Sequence, residues 1–302
     1  MTGRTSTWRP DRPVDILRTL TPLHRGAGDP TFRIDPAGAL WRTTTTPHGP
    51  ATVRLSRSGG DVVASSWGAG AECALAGVPE ALGARDDWTG LRPPPGRFTD
   101  TWRRNPGLRI PRTGRVWDVL LAAILEQRVT GKEARRSWRE LAAVAGTAAP
   151  GPAPAGMRVV PTPSELRRLP DWTWHRCGVD GARRRALLAA AAVADRMEEA
   201  VDLPREAALA RLRVIPGVGE WTAAEVAQRA FGDGDTLSVG DYHLAAFVGW
   251  ALVGHPLDDT GMLDVLAPYR PHRYRLVRLL EVSGFAKPRF GPRMSVLDYR
   301  KL

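Results

Sequence analysis

The side chains best suited to chemistry in this sequence fall in one stretch, residues 212–243. Near its end a single acid, Asp241, precedes a helical pattern, where free backbone N–H groups and the helix dipole favour a negative charge. An ionised carboxylate there can stabilise a positive charge that develops on a neighbouring molecule, or orient a water molecule. Aspartate is also a common helix N-cap, and Asp241 taken alone favours that structural role.

The same stretch contains a glycine turn, Pro-Gly-Val-Gly at residues 216–219, between two helical patterns. Two glycines separated by one residue let the backbone turn tightly and bring its N–H groups close to a bulky group. At the start of a helix that group is most often a phosphate. The predicted phosphate contacts are the backbone of the turn and one hydroxyl: Gly217, Val218, Gly219 and Thr222. The turn alone is weak evidence, whereas the turn followed by Asp241 is strong.

Composition restricts the class of protein. The chain has 302 residues, a net charge of +11 and 2 cysteines. This length suffices for a sizeable core and two domains, and the charge predicts a polyanionic partner, nucleic acid before membrane. Cys73 and Cys177 are far apart, which argues against a disulfide framework, a zinc ribbon and a cysteine-ligated iron–sulfur cluster. No metal site is predicted.

Two further patterns concern membranes and targeting. The N-terminal residues lack the apolar segment of a signal peptide. The longest apolar run, residues 186–194, is too short and too rich in alanine to span a membrane. We therefore expect a cytoplasmic protein that makes no membrane contact, and we expect it to be a monomer.

The pattern along the chain predicts four segments. Residues 1–13 are polar and contain prolines, which indicates a mobile leader. Over residues 14–97, short alternating runs between turn signals indicate a small antiparallel sheet with helices, hence an α+β domain. Residues 98–284 are helical throughout, apart from an Ala/Pro/Gly-rich linker at 146–156. Residues 285–302 are predicted to form a basic, extended tail.

At this point two segments carry a family resemblance. The hairpin segment with Asp241 resembles that of the helix-hairpin-helix DNA glycosylases. Residues 106–134 are similar to the wedge-bearing helix of the 3-methyladenine DNA glycosylase II branch, and the likeness covers most of residues 20–284. The resemblance implies an α+β fold: a small N-terminal sheet-and-helix domain, then an all-α helix-hairpin-helix core in two lobes. It also implies an enzyme that flips damaged bases out of double-stranded DNA.

By this resemblance Asp241 is the catalytic aspartate. Trp221 occupies the position where relatives that also nick the DNA backbone carry a Schiff-base lysine. An imine requires an amine nucleophile, and the three lysines of the chain, Lys132, Lys287 and Lys301, lie elsewhere in the sequence. We therefore predict a monofunctional glycosylase that excises alkylated purines of the 3-methyladenine and 7-methylguanine type. Such purines are cationic and leave without being protonated, so one carboxylate suffices.

Four side chains are candidates for the base pocket. The rings of Trp221 and Tyr242 would stack on an electron-poor base, a cation–π contact worth ~0.5–2 kcal/mol; core packing is the competing interpretation. Glu225 lies one turn after Trp221 and would face the pocket, although such a residue more often lies on a solvated helix face. His272 is placed in the cleft, with an ordinary surface or core histidine as the alternative.

Gln127 and Arg128 end a long apolar helix, at the position where the resemblance puts the wedge that fills the gap left by a flipped nucleotide. Arg128 departs from the apolar or amide side chains common there, but its planar guanidinium can stack and bond base edges. The alternative for Arg128 is an arginine that complements the helix dipole. No cofactor is predicted, although in similar proteins the hairpin carbonyls hold a monovalent cation.

Two other interpretations remain open. One is a helix-hairpin-helix protein that has lost its chemistry and only senses or bends damaged DNA. The other is a glycosylase for oxidised or deaminated bases, which would need pocket groups that the sequence does not identify. Retention of Asp241 favours an enzyme.

Overall fold

The computed structural model describes residues 3–288 and Asp298. Its first half contains five strands: β1 (Arg4–Trp8), β2 (Phe32–Ile34), β3 (Leu40–Thr46), β4 (Gly49–Ser58) and β5 (Asp61–Trp67). They form one antiparallel sheet in the order β1-β5-β4-β3-β2. Leu40, Leu55 and Ala64 are aligned across the central strands and are buried. One face of the sheet therefore packs on the core, as its alternating sequence predicts.

The prediction of a mobile leader over residues 1–13 is corrected by the structure. Arg4–Trp8 pairs with β5 from Arg4↔Ser66 to Trp8↔Val62. A hydrogen bond of 3.1 Å between the hydroxyls of Thr5 and Ser65 adds to this pairing. As an edge strand with exposed side chains, β1 has no apolar alternation that would distinguish it from a polar leader.

Fifteen α-helices are present in the described part of the chain. They are α1 (Ile16–Leu20), α2 (Ala71–Ala76), α3 (Val78–Ala81), α4 (Arg97–Arg104), α5 (Val116–Leu125), α6 (Gly131–Ala145), α7 (Pro163–Arg167), α8 (Asp171–Arg176), α9 (Gly181–Ala192), α10 (Ala194–Glu198), α11 (Arg205–Arg213), α12 (Glu220–Val226), α13 (Leu244–Leu252), α14 (Asp259–Leu266) and α15 (Arg273–Val282). A sheet followed by helices is the α+β class predicted from sequence, and this prediction is confirmed.

The segment predicted as an Ala/Pro/Gly linker, residues 146–156, is also ordered by contacts. Two short strands, β6 (Thr147–Ala148) and β7 (Arg158–Val159), pair across it. Between them, Gly151 lies so close to Trp67 that an added Cβ would stand 2.3 Å from the indole Cγ. The segment packs against the sheet, a long-range contact that its composition does not reveal.

The buried apolar side chains form two clusters. The first joins the inner face of the sheet to α5, to α9 and to Val218 of the glycine turn. The second lies among α13, α14 and α15 and includes Leu237, which precedes α13. The catalytic candidate Asp241 follows Leu237 in the sequence, and the glycine turn packs on the first cluster. The loop from α12 to α13 therefore connects the two clusters.

Helix α5 is apolar on all sides, and all but one of its residues are buried, as expected for a helix in the centre of a core. Its ends are bonded to other helices. The carboxylate of Glu198 accepts from the N–H groups of Val116 at 3.0 Å and Trp117 at 2.7 Å. At the other end, buried Arg183 donates to the carbonyl of Leu125 at 2.9 Å. Arg183 is thus a structural residue.

Two remaining predictions concern the ends of the chain and membranes. Of the predicted basic tail over residues 285–302, the segment 285–288 and Asp298 are described, and the rest lies outside the described residues. Within the described part of the chain, no helix has both the length and the apolar character needed to cross a membrane.

Candidate active site

The glycine turn between α11 and α12 has the geometry that its sequence requires. Gly217 has a φ of +88°, a backbone conformation that favours glycine. An added Cβ at Gly217 would also lie 2.8 Å from the Cβ of Ala186 in α9. Val218 is buried and its N–H donates to the carbonyl of Ile215 at 3.0 Å, so its predicted phosphate contact is corrected; Gly217 and Gly219 are exposed. The N–H groups of these two glycines donate to no acceptor among the described residues, so they are available to an anion.

Asp241 lies three residues before α13, and three N–H groups bind its carboxylate. Oδ1 accepts from the backbone N–H groups of His243 at 2.8 Å and Leu244 at 2.9 Å. Oδ2 accepts from the indole N–H of Trp221 at 3.2 Å. A carboxylate offers about four lone-pair sites, so this arrangement fixes its plane and leaves room for one further partner. The structure therefore combines the helix-capping role with a carboxylate held in a defined orientation.

The loop that carries Asp241 is bonded to its surroundings on both sides. The N–H of Asp241 donates to the carbonyl of Ser238 at 3.2 Å. Gln228, buried at the end of the α12 segment, donates to the hydroxyl of Ser238 at 3.0 Å. On the other side, the N–H of Gly240 donates to the carboxylate of Asp259 at 2.9 Å. Gln228 and Ser238 lie within residues 212–243 and Asp259 lies after them, but no local pattern identified any of the three as a positioning residue.

The two aromatic candidates have different environments. Trp221, in the first turn of α12, is half-buried and directs the edge of its ring at Asp241. Tyr242 is 79% exposed and makes an edge contact with the ring of His243 at 4.8 Å. Both rings thus lie beside the carboxylate, one facing inward and the other outward. Their role in stacking on a base stays a prediction.

Both positions predicted for Glu225, facing the base pocket or lying on a solvated helix face, are corrected by the structure. It is only 8% exposed, so it does not lie on a solvated face. One of its oxygens accepts from the hydroxyl of Ser238 at 2.7 Å, and the other lies 2.8 Å from the guanidinium of Arg229. Burial alone would lower the pKa of Arg229, but the Glu225 charge outweighs this effect and raises that pKa above its ordinary value. Both carboxylate oxygens of Glu225 are therefore engaged within the protein and support the Asp241 loop through Ser238.

His272 is also corrected. It is 7% exposed, and its ring nitrogens contact the carbonyl of Thr89 at 3.0 Å and the guanidinium of Arg275 at 3.1 Å. Burial, and secondly the Arg275 charge, lower the pKa of His272 below its ordinary value. Arg275 is itself paired with buried Asp86 at 2.6 Å. His272 therefore belongs to a buried polar cluster, and no contact joins it to Asp241 or Trp221 in the described structure.

The predicted wedge and the hairpin are bonded to each other. The side-chain amide of Gln127 donates to the carbonyl of Gly217 at 2.9 Å and to the hydroxyl of Thr222 at 2.8 Å. Thr222 is only 2% exposed. The predicted phosphate contact of the Thr222 hydroxyl is therefore corrected, because that hydroxyl faces Gln127 inside the protein. Gln127 fastens the end of α5 to the glycine turn.

Arg128 is the exposed member of the predicted wedge pair. Its φ of +52° makes it the one non-glycine residue with a positive φ in the described part of the chain. A left-handed conformation costs such a residue roughly 1–2 kcal/mol. The guanidinium of Arg128 makes no hydrogen bond or ion pair with the described residues. Backbone strain of this kind is characteristic of functional sites, so Arg128 is a candidate for contact with a partner.

The described residues offer no cluster of side chains for a metal ion. Within residues 3–288 and Asp298, no group of three His, Cys, Asp or Glu side chains lies close enough to hold a metal ion. The carbonyl of Gly217, a ligand candidate for a monovalent cation at the hairpin, already accepts from the Gln127 amide. The cation stays a prediction.

One residue beside the site was missed from the sequence. The ammonium of Lys287 lies 3.3 Å from the carbonyl oxygen of His243 and 3.4 Å from its Nδ1. Lys287 is distant from the motif along the chain, and only its rarity, as one of three lysines, marked it.

Comparison by sequence identifies a relative for part of the chain. No protein-family model matches. Over 200 residues the chain is 32% identical to the "probable bifunctional transcriptional activator/DNA repair enzyme AlkA" of Mycobacterium tuberculosis. The match covers 65% of this chain but spans only 37% of the length of that relative.

Comparison by structure covers nearly the whole chain. The 3-methyladenine DNA glycosylase of Archaeoglobus fulgidus matches with a TM-score of 0.75 at 16% identity, over 93% of this chain and 98% of that one. The 8-oxoguanine glycosylase/lyase of Clostridium acetobutylicum matches with a TM-score of 0.69 at 15% identity, over 93% and 96%. These likenesses show the fold. The predicted resemblance is confirmed at this level: in fold the chain is similar to DNA glycosylases, among them a 3-methyladenine DNA glycosylase, and part of its sequence is similar to a DNA repair enzyme.

Proposed function

We propose that this chain, which has the fold of the helix-hairpin-helix DNA glycosylases, is a monofunctional DNA glycosylase that excises alkylated purines from double-stranded DNA. The observation that carries the proposal is the carboxylate of Asp241, held by Trp221 and by the start of α13. A single ionised acid, held in place and half-exposed beside aromatic rings, suits a reaction in which a cationic base leaves a sugar.

In the proposed complex, the glycine turn binds a DNA phosphate through the free N–H groups of Gly217 and Gly219. Arg128, which stands next to Gln127 and therefore beside the turn, enters the space vacated by the flipped nucleotide. A planar guanidinium can stack on the neighbouring bases and donate to their edges. The flipped base then lies near Asp241, between the rings of Trp221 and Tyr242.

The proposed chemical step breaks the bond between C1′ of the deoxyribose and the purine nitrogen. The bonding electron pair goes to the purine, and it neutralises the positive charge that alkylation had introduced. The sugar becomes an oxocarbenium-like cation, which the Asp241 carboxylate stabilises. Water adds to C1′ and releases a proton, and the products are the free base and an abasic site.

The absence of strand cleavage is proposed from Trp221. The solved neighbour from Clostridium acetobutylicum is named a glycosylase/lyase, so the fold is compatible with both kinds of enzyme. The distinction therefore depends on the side chain next to the acid. An indole cannot form the imine that a lyase step requires.

The test is base release from methylated duplex DNA, followed by chromatography and mass spectrometry. We expect free 3-methyladenine or 7-methylguanine, together with abasic sites that break only after alkaline treatment. Asp241→Asn should abolish release while DNA binding persists. Asp258→Asn is the matched control, because Asp258 caps α14 by accepting from the Gly261 N–H at 2.8 Å and lies outside the proposed site.

The outcomes separate the alternatives. Equal release by wild type and Asp241→Asn would reject the catalytic assignment. DNA binding without any base release would favour the non-catalytic DNA-binding interpretation. Spontaneous strand breaks that borohydride traps as covalent adducts would reject the monofunctional assignment.

A further inference from the structure

The segment that follows α15 returns to the candidate active site and is held there by an aromatic contact. The ring of Phe285 lies 5.6 Å from that of Phe247 in α13, measured between centroids. The guanidinium of Arg97, at the start of α4, lies 4.5 Å from the centroid of the Phe285 ring. Phe285 thus packs between two elements, and its position fixes where the next residues lie.

Lys287, two residues later, places its ammonium against the residue that helps to hold Asp241. Its Nζ lies 3.3 Å from the carbonyl oxygen of His243, whose own N–H donates to Asp241. The Lys287 ammonium and the Asp241 carboxylate therefore bind the carbonyl and the N–H of the same residue, His243. Lys287 is only half-buried, so its remaining N–H donors face solvent beside the Asp241 loop.

Neither Lys287 nor Arg97 has an acidic partner among the described residues. Stacking on Phe285 occupies one face of the Arg97 guanidinium and leaves its N–H edges free. Two unneutralised cations therefore flank Phe285 next to the loop that would meet the sugar of a flipped nucleotide.

We propose that Lys287 and Arg97 bind DNA phosphate, and that the Phe285–Lys287 segment extends the DNA contact surface to the Asp241 loop. This inference rests on the proposed function, because the DNA strand must reach Asp241. A nucleotide whose C1′ lies at Asp241 brings its own flanking phosphates to that loop. An ammonium and a guanidinium with free donors form charge-assisted bonds to phosphate oxygens.

The test measures the affinity for a duplex with one abasic site, at several salt concentrations, in a protein that also carries Asp241→Asn. Each lost phosphate contact should reduce the slope of log affinity against log salt by about 0.9. We expect Lys287→Met and Arg97→Met each to lower the slope by this amount and to weaken binding about fivefold to tenfold at low salt. Lys287→Arg should behave like the parent.

The control is Arg9→Met, which removes the same charge next to the sheet. The Arg9 side chain is 86% exposed and pairs with Asp61 at 3.2 Å, outside the proposed surface. We expect its slope to remain that of the parent. An unchanged slope in Lys287→Met, or an equal change in Arg9→Met, would overturn the proposal.

A second measurement separates phosphate binding from amine chemistry and from the proposed function. If borohydride links wild-type protein to abasic DNA and Lys287→Met abolishes the link, Lys287 acts as a nucleophile and the proposal is wrong. Failure of the parent to bind DNA at any salt concentration rejects the proposed function itself. Normal binding with unchanged slopes in both variants rejects the inference alone.

Discussion

The indole N–H of Trp221 donates to the carboxylate of Asp241 over 3.2 Å. Trp221, which the sequence resemblance places at the position of a lysine, thus contributes a hydrogen bond that holds the acid in position. Its hydrogen bond uses Oδ2, while the start of α13 binds Oδ1. The orientation of the carboxylate therefore depends on one side chain from α12 as well as on its own loop.

This relationship predicts the effect of Trp221→Phe, which keeps an aromatic ring but removes the donor. A hydrogen bond to a charged group contributes ~1.5–3 kcal/mol, so kcat for base release should fall roughly tenfold to a hundredfold. The affinity for abasic DNA should change little. Single-turnover base release and DNA titration measure the two effects. Trp172→Phe is the control, since Trp172 is 59% exposed on α8 and contacts Arg176; an equal loss in both variants would contradict the positioning role.

Gly217→Ala should destabilise the hairpin for two separable reasons. The φ of +88° disfavours any side chain, and the new Cβ would meet the Ala186 Cβ at 2.8 Å. We expect a loss of about 1–3 kcal/mol in the free energy of unfolding, measured by urea denaturation. Ala186→Gly in the same protein should restore the steric part and leave the φ part. Gly219→Ala, where nothing lies within 4 Å of the new Cβ, should unfold like the wild type; a large loss there would contradict this account.

Arg128 predicts a conflict between stability and activity. Arg128→Gly removes the left-handed strain at φ +52° and should raise the free energy of unfolding by about 1 kcal/mol. The same change removes the proposed wedge and should slow base release. Arg128→Ala retains the strain but not the guanidinium, so it should slow release without a gain in stability. Thermal unfolding together with single-turnover kinetics tests both parts, and full activity of either variant would contradict the wedge.

The buried imidazole of His272 predicts a pH dependence of stability. Its pKa is lowered by burial and by Arg275, so the unfolded chain takes up a proton at a pH where folded His272 stays neutral. The free energy of unfolding should therefore fall as the pH drops below the ordinary histidine value of ~6.5, and be unaffected by this group above it. Urea denaturation between pH 8 and pH 5 measures the effect. His272→Asn should show a smaller decline, whereas exposed His255→Asn should follow the wild type.

Local patterns predicted the features that depend on local structure. The glycine turn at Gly217, the helix around Trp221 and the acid Asp241 share one continuous stretch, and their relative placement follows from helix geometry and turn chemistry. The α+β class followed from alternation in one half and helical spacing in the other. These features needed no knowledge of distant contacts.

The misplaced residues are those whose partners are distant in the sequence. Gln127 contacts Gly217 across 90 positions, so its inward orientation could not be derived from the end of its own helix. Glu225 and Arg229 form a pair at i,i+4, which is ordinarily solvated; here the loop carrying Ser238 covers it. His272 was assigned to the cleft from its residue type alone. A histidine in a buried polar cluster and one in a cleft have the same local sequence, so residue type could not distinguish them.

The bonds at the two ends of α5 have a mechanical consequence. Glu198 holds the first N–H groups of this helix, Arg183 holds its last carbonyl, and Gln127 connects its end to the glycine turn. Helix α5 is thus held in place at both ends. A force applied to Arg128 by a resisting duplex would be transmitted along α5 into the sheet. The first hydrophobic cluster, which contains α5 and the inner face of the sheet, would then resist that force as a whole, and the loop at Arg128 would move little.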